Sequence, residues 1–382
     1  QKPRIICSSD DSYVVVVARY LATLGDMISA VYGPSKHICF YSRMGQAHAG
    51  AWVHRYRAAG YRFIEGDASA FDSTQKHYIG KTRIEIYEKL GLPAHIKAML
   101  VKRNDQKKII FADGTQMSVV GQTDSGAQDT KSSNDLANAS ALIACLFMMI
   151  GYPVDGLDQA IRSNLSHEFP FFAVMTNGDD NVVAIHPDVE LDLDFLTRLV
   201  ASIGYRYNFI DRRDFPALTF NSAIFWPAIL IEELIDGDRP YASAGETLAL
   251  LPSVGRTLAR LPFSCQDLAD SQVRGRMIEK CRALAAFAYA VPVLGQIVTH
   301  IAQLPLVPSE VSTNPYVPEY DWPTRLPLQF NQVQMEAFFY DRYGVDYTIE
   351  ELVRDYLHAF YERRSLGDHP GFVAMAKLDM DL

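Results

Sequence analysis

Residues Phe171 to His186 read FFAVMTNGDDNVVAIH, two short apolar runs joined by a tight polar turn with adjacent carboxylates at Asp179 and Asp180. Asn177-Gly178 is a strong hairpin signal, because both residues tolerate the positive φ that a tight turn between twisted strands requires. The segment is therefore expected to be a β-hairpin with Asp179 and Asp180 at its tip. Two carboxylates side by side repel each other, and a hard cation that neutralises them relieves the repulsion. An ordinary solvated Asn-Gly-Asp turn accounts for the same residues, so the stretch alone leaves both readings open.

The rest of the chain bounds the choice. With 382 residues, 48% of them hydrophobic and 21% charged, the composition is that of a globular chain large enough for two or three subdomains. A formal net charge of −9 argues against nucleic-acid binding, which needs Lys and Arg for phosphate contacts. The distribution argues the other way. Lys2, Arg4, Arg19, Lys36, Arg43, Arg55, Arg57 and Arg62 face only Asp10, Asp11 and Asp26 over the first 62 residues, so one end is locally basic. Cys7, Cys39, Cys145, Cys265 and Cys281 form no CxxC pair and read as reduced thiols without structural zinc. The chain opens on Gln1-Lys2-Pro3 without an initiator Met or a signal-like segment, and reads as a fragment. The uncharged runs 136–154 and 283–308 approach spanning length. Polar Asn138 and Ser140 in the first, and Pro292, Gln296, His300 and Gln303 in the second, make both buried core helices, so no transmembrane span is expected.

Taken in order, residues 12–32 carry an apolar stripe at helical spacing, and a second helix is expected near 43–58. His48 and His54 in that helix read as surface or interface residues. Tyr61 to Asp67 alternates as a strand, so Asp67 ends a strand and Asp72 opens the next segment. Ser73 and Thr74 are candidate N-caps for a helix stopped by Gly91 and Pro93. Residues 107–120 read as a second hairpin about Asp113-Gly114. The loop GQTDSGAQDT then leads into a buried helix in which Thr130 and Asn134, four apart, share a face. A helix N-terminus capped by Asp129 explains the polar cluster. It does not explain polar residues one turn deeper on one face. Residues 191–204 read as an amphipathic helix, 205–210 and 219–227 as strands, and the region from about 245 as mostly helical. The Pro-rich stretch 304–328 interrupts it. Tyr316, Tyr320 and Trp322 there read as part of a packed loop, with a base-stacking platform as the second possibility.

Four of these pieces fall into one order: KPRIIC at 2–7, Asp67 and Asp72, Ser125-Gly126 with Thr130 and Asn134, and Gly178-Asp179-Asp180. In that order they resemble motifs F, A, B and C of the RNA-dependent RNA polymerases of positive-strand RNA viruses. The helix ending at Gly204 resembles motif D, and TFNSAIFWP at 219–227 resembles motif E. The resemblance covers residues 1 to about 230. The KPR opening and the 107–120 hairpin look most like tombusvirus and nodavirus relatives.

The resemblance implies an α+β right-hand polymerase with an antiparallel-sheet palm, partial fingers and a helical thumb. It divides the chain into partial fingers with motif F (1–61), palm with motif A (62–98), a fingers/palm hairpin (99–120), palm with motifs B to E (121–232) and thumb (233–382). It implies that Asp67 and Asp179, with Asp180 as an auxiliary ligand, are catalytic and hold two Mg²⁺ ions, with Mn²⁺ as a substitute. Lys2 and Arg4 would neutralise the incoming triphosphate. Asp72, Thr130 and Asn134 would surround the ribose, and Ser125 and Gly126 would touch template or nascent strand. The implied partners are template RNA, nascent RNA, ribonucleoside triphosphates and other viral replication proteins, in the host cytoplasm at a replication complex. One departure stands out: motif D offers Arg206, Arg212 and Arg213 but no Lys, so the general acid for pyrophosphate is unassigned. Three competing functions fit parts of the pattern. A reverse transcriptase would place an aromatic residue near Gly178, a two-metal nuclease would use the same carboxylates, and a catalytically idle RNA-binding palm is disfavoured by intact Asp67 and Asp179.

Overall fold

A computed structural model describes residues 11–111, 113–121, 123, 129–263, 270–307, 326–362 and 364–380. Lys2, Arg4, Ser125, Gly126, Tyr316, Tyr320 and Trp322 lie outside the described residues. The chain divides into two units, residues 1–45 with 55–213, and residues 46–54 with 214–382. The first contains α1 (Asp11–Val31), β1 (Ile38–Phe40), the end of α2 (Gln46–Ala58), β2 (Arg62–Ala68), α3 (Phe71–Thr74), α4 (His77–Lys89) and α5 (Ala94–Asp105). It continues with β3 (Lys107–Ile110), β4 (Gln116–Val119), α6 (Thr130–Met149), α7 (Leu157–Leu165), β5 (Phe172–Asn177), β6 (Asp180–Ile185), α8 (Leu193–Ser202) and β7 (Tyr207–Arg212).

The first unit is built on a five-stranded sheet in the order β1-β5-β6-β2-β7. All pairs are antiparallel except β1 with β5, which run parallel and add an edge that the expected antiparallel palm lacks. Strands β5 and β6 are buried along almost their whole length, which is why FFAVMT and NVVAI are continuous apolar runs rather than alternating ones. Helix α6 packs its Leu142, Ile143, Leu146 and Phe147 into the core formed with Phe172, Val174, Val183 and Ile185. Leu196 and Val200 of α8 complete that core. Asp192 caps α8 by accepting from Phe195 N–H at 2.8 Å. Helix α1 buries Val17, Leu21, Leu24 and Ile28, a stripe at helical spacing, among Ile84, Tyr87, Ile96 and Leu100. By length and composition α1 is the one helix among the described residues apolar enough to cross a membrane; α6 reaches that mark only jointly with 154–165, across a 116° bend.

Several expectations are corrected. Ser73 and Thr74 cap nothing: their hydroxyls donate back to the carbonyls of Ala70 and Phe71, at 2.8 and 2.7 Å, within the one-turn α3. Helix α4 starts later, with Lys76 at its N-cap. The hairpin turn is Gly178-Asp179, because Asn177 pairs with Asp180; Asp180 is thus already in β6, one step below the tip. Only Gly178 takes positive φ, at 68°, the pattern of a II′ turn with Gly first. The hairpin about Asp113-Gly114 is present as β3 and β4.

The second unit is less helical than expected. It holds β8 (Thr219–Phe220), β9 (Ala223–Leu230), β10 (Leu234–Asp236), β11 (Arg239–Ala242), β12 (Gly245–Pro252), α9 (Val254–Arg260), α10 (Asp270–Ala288), α11 (Leu294–Ala302), β13 (Leu328–Gln329), α12 (Gln332–Tyr343), α13 (Ile349–Glu362) and α14 (Pro370–Met380). The expected single strand 219–227 is two, turned at Asn221-Ser222, both at positive φ. Residues 245–252 form the long partner of β9. Their run TLALL is buried at every position, and so lacks the alternation that marks a half-exposed strand. The 283–308 run is not one helix; it breaks between α10 and α11 beside Pro292, where Val293 takes φ 64°. His48, expected at a surface or interface, is half-buried and lies 2.5 Å from the Tyr241 hydroxyl.

The second unit is closed by a buried ion pair. Asp379 of α14 accepts from Arg342 Nη2 at 2.9 Å, from the Tyr343 hydroxyl at 2.9 Å and from Gly255 N–H at the start of α9 at 2.8 Å. The Arg342 and Asp379 side chains are 3% and 0% exposed. Removing one member of such a pair leaves a buried charge without compensation, at a cost of about 3–5 kcal/mol. Asp379→Ala is therefore expected to lower the unfolding free energy of this region by about that amount. Chemical denaturation followed by Trp226 fluorescence measures it; a loss below about 1 kcal/mol, the ordinary range of an exposed pair, would contradict it.

Candidate active site

Strand β2 runs out at the edge of the sheet core, and the register puts Asp67 directly opposite Asp180 of β6 and opposite Asn208 of β7. Residues opposed across an antiparallel pair share a face, with Cβ atoms about 5 Å apart. Asp67 is exposed, and Asp179 and Asp180 are half-buried. Like charges so placed destabilise a sheet, and the arrangement persists because it lies at an end of the sheet open to solvent or cation. Gly66 beside Asp67 is required by its partner: a Cβ there would press on the buried Asn181 amide. Among the described residues no three His, Cys, Asp or Glu side chains close into a metal-holding group. The donor set instead fits a hard cation that keeps waters and takes further oxygens from phosphates, as Mg²⁺ does with one or two carboxylates.

Helix α6 supplies the second wall. Asn134 donates from Nδ2 to Asp72 Oδ1 at 2.7 Å, joining the segment just beyond the β2 strand end to the helix. Asn134 Oδ1 is buried and finds no partner among the described residues, so an acceptor is left beside Asp72. Thr130 is the first residue of α6. The turn before it is fixed by Asp129, which receives the Tyr87 hydroxyl at 3.0 Å and lies 3.6 Å from Arg83 Nε.

Three contributors went unnoticed in the sequence. Asp135 Oδ1 accepts from Gly178 N–H at 2.6 Å. Asn138 Nδ2 donates to the carbonyls of Gly178 and Asp179 at 2.9 and 3.1 Å, and its Oδ1 accepts from the Tyr207 hydroxyl at 2.8 Å. The signal was present in the spacing, since Asn138 follows Asn134 by four and thus shares its helix face. Of Arg206, Arg212 and Arg213, Arg206 stands at the Asp67 end, its carbonyl accepting Ser69 N–H at 2.8 Å. Arg212 pairs with Phe63 at the far end of β2 and makes a 2.8 Å ion pair with Glu65. Thus the structure brings together Asp67, Asp179 and Asp180 on one edge, and Asp72 with Asn134 beside it.

Such a sheet, backed by helices and edged with carboxylates, makes this a mixed α+β unit. Residues 14–199 match the family model described as RNA dependent RNA polymerase. Over 157 residues the chain is 28% identical to the genome polyprotein of Bean yellow mosaic virus, covering 40% of this chain and 5% of the polyprotein. The Sicinivirus 3Dpol RNA dependent RNA polymerase is similar over 80% of this chain and 53% of its own, at 15% identity and a TM-score of 0.43. The chain is thus similar to RNA-dependent RNA polymerases over residues 14–199, and it spans only a small part of the curated polyprotein and about half of the solved polymerase that it matches.

Burial raises the Asp135 carboxyl to about 7, from an ordinary 3.8, against the Gly178 N–H bond that favours its charged form. The folded chain therefore keeps a proton there that the unfolded chain gives up at lower pH. Asp135 contributes stability that is fully present below its ordinary ionisation range and lost as the pH rises through about 7. Melting temperatures of wild type and Asp135→Asn, compared from about pH 4 to about pH 8, should show wild type falling relative to the variant across that window. Parallel curves would contradict it.

Proposed function

We propose that this chain synthesises RNA on an RNA template, transferring nucleotides from ribonucleoside triphosphates to an RNA 3′-hydroxyl during viral genome replication and transcription. The observation that carries the reading is the register of Asp67 against Asp180, one residue from Asp179 in the turn. Asp67, Asp179 and Asp180 are the residues that would hold two divalent ions, whose chemistry there is to acidify the attacking 3′-hydroxyl and neutralise the triphosphate. Asp72, oriented by Asn134, would accept from the sugar, while the unpartnered Asn134 Oδ1 offers a second acceptor; a 2′-hydroxyl is the donor that distinguishes RNA from DNA substrates. Thr130 would border the same pocket. Lys2 and Arg4 are proposed to neutralise phosphates, and Ser125 and Gly126 to touch template or product. Residues 62–98 and 121–232 would act as palm, 1–61 and 99–120 as fingers, and 233–382 as thumb. Template, product and other replication proteins are the proposed partners, in the host cytoplasm.

Two variants test this in one primer-extension assay. Asp179→Ala should abolish nucleotide transfer with little change in melting temperature, because a turn residue at a sheet edge adds little to the core. Asn134→Ala should retain transfer but lower the preference for a ribonucleotide over its 2′-deoxy counterpart by about tenfold, the worth of one polar contact. Normal extension by Asp179→Ala would overturn the carboxylate assignment. An unchanged sugar ratio would make Asn134 scaffolding, and release of nucleotides from labelled RNA without extension would indicate a nuclease.

A further inference from the structure

The Gly178-Asp179 turn is held from outside its own hairpin. In a two-residue turn the hairpin ladder uses the flanking Asn177 and Asp180, leaving the turn's own peptide groups to find partners elsewhere. Here α6 takes them. Gly178 is gripped on both sides, its N–H by Asp135 and its carbonyl by Asn138, which also takes the Asp179 carbonyl. Asn138 is fully buried, and both ends of its amide are used. The oxygen end is braced by Tyr207, whose register partner in β2 is Ala68, next to Asp67. A chain of bonds therefore runs from the turn bearing Asp179, through α6, to the strand flanking Asp67. One turn earlier the same helix binds Asp72 through Asn134.

We propose that Asp135 and Asn138 are positioning residues that lock the Gly178-Asp179 turn onto α6, setting Asp179 against Asp67 and tying the carboxylate edge to the Asp72–Asn134 pair as one unit. The proposal rests on the reading of Asp179 as a catalytic carboxylate. Displacement of a reacting group by about 1 Å costs as much as 100-fold in rate, and a turn held only by its hairpin has no other constraint at that scale. If these bonds merely satisfy polar groups trapped by burial, loosening them spreads through the sheet instead.

The test combines amide hydrogen exchange with steady-state kinetics on the full chain. In Asp135→Ala the Gly178 amide should exchange about tenfold faster or more, the worth of a bond to a charged or buried carboxyl. Amides of β2 and β7 should stay within about twofold of wild type, and kcat should fall at least tenfold with the KM for nucleotide little changed. Asp135→Asn keeps an oxygen acceptor for Gly178 N–H, so it should recover both protection and kcat. Tyr207→Phe removes only the brace on Asn138 and decides the matter should Asp135→Ala fail to fold; at a modest cost in melting temperature from the unsatisfied Asn138 Oδ1, it should speed exchange at Gly178 more than in β2 and β7 and lower kcat. Unaltered Gly178 exchange, exchange raised equally through β2 and β7, or an unchanged kcat would each overturn the proposal. If the wild-type chain transfers no nucleotide, the functional reading fails separately, and the exchange pattern alone decides whether the clamp exists.

Discussion

The pairing of β2 with β6 is the constraint on which the site depends. Its register sets Phe63, Ile64, Gly66 and Asp67 against Ala184, Val183, Asn181 and Asp180. A slip of one residue would turn every side chain of β2 to the opposite face, sending Ile64 out of the core and Asp67 away from Asp180. The register is enforced by packing: Ile64, Val174 and Val183 belong to one buried cluster, and Gly66 is the residue that admits the Asn181 amide. Thus the hydrophobic interior fixes a polar geometry at the strand end that the carboxylates, by mutual repulsion, would not choose.

Helix α6 plays the opposite part. It carries a buried polar face, Ser133, Asn134, Asp135 and Asn138, followed by an apolar face in the core below. Burying such groups is unfavourable unless they find partners; Ser133 bonds back to the Thr130 carbonyl within the helix, while Asn134, Asp135 and Asn138 find theirs in the site itself, in Asp72, Gly178, Asp179 and Tyr207. The same face therefore links fold and site, and a change in either is felt by the other.

Much of this was legible in the sequence. Asn177-Gly178 between apolar runs announced the hairpin, and YRFIEGD announced a strand ending at Asp67, because turn chemistry and alternation are local. The four-residue step from Thr130 to Asn134 announced the polar face. What escaped was whatever tertiary burial decides. Asn138 was absorbed into the uncharged run 136–154 and Asp135 stood just ahead of it, because a strand-turn partner, distant in sequence, is what makes both useful. Strand β12 was lost because both of its faces are covered. Ser73 and Thr74 had the composition of caps and instead closed a separate turn, since α4 starts only after Lys76.

The proposal that Asp67 and the 179–180 carboxylates form one cation-binding edge is tested most directly by anomalous diffraction from crystals of the chain soaked in Mn²⁺. A manganese peak bridging Asp67 and Asp179 is expected, at roughly the 2.0–2.1 Å of a hard-cation contact to oxygen. Manganese bound elsewhere, with both carboxylates ordered and bare, would contradict it.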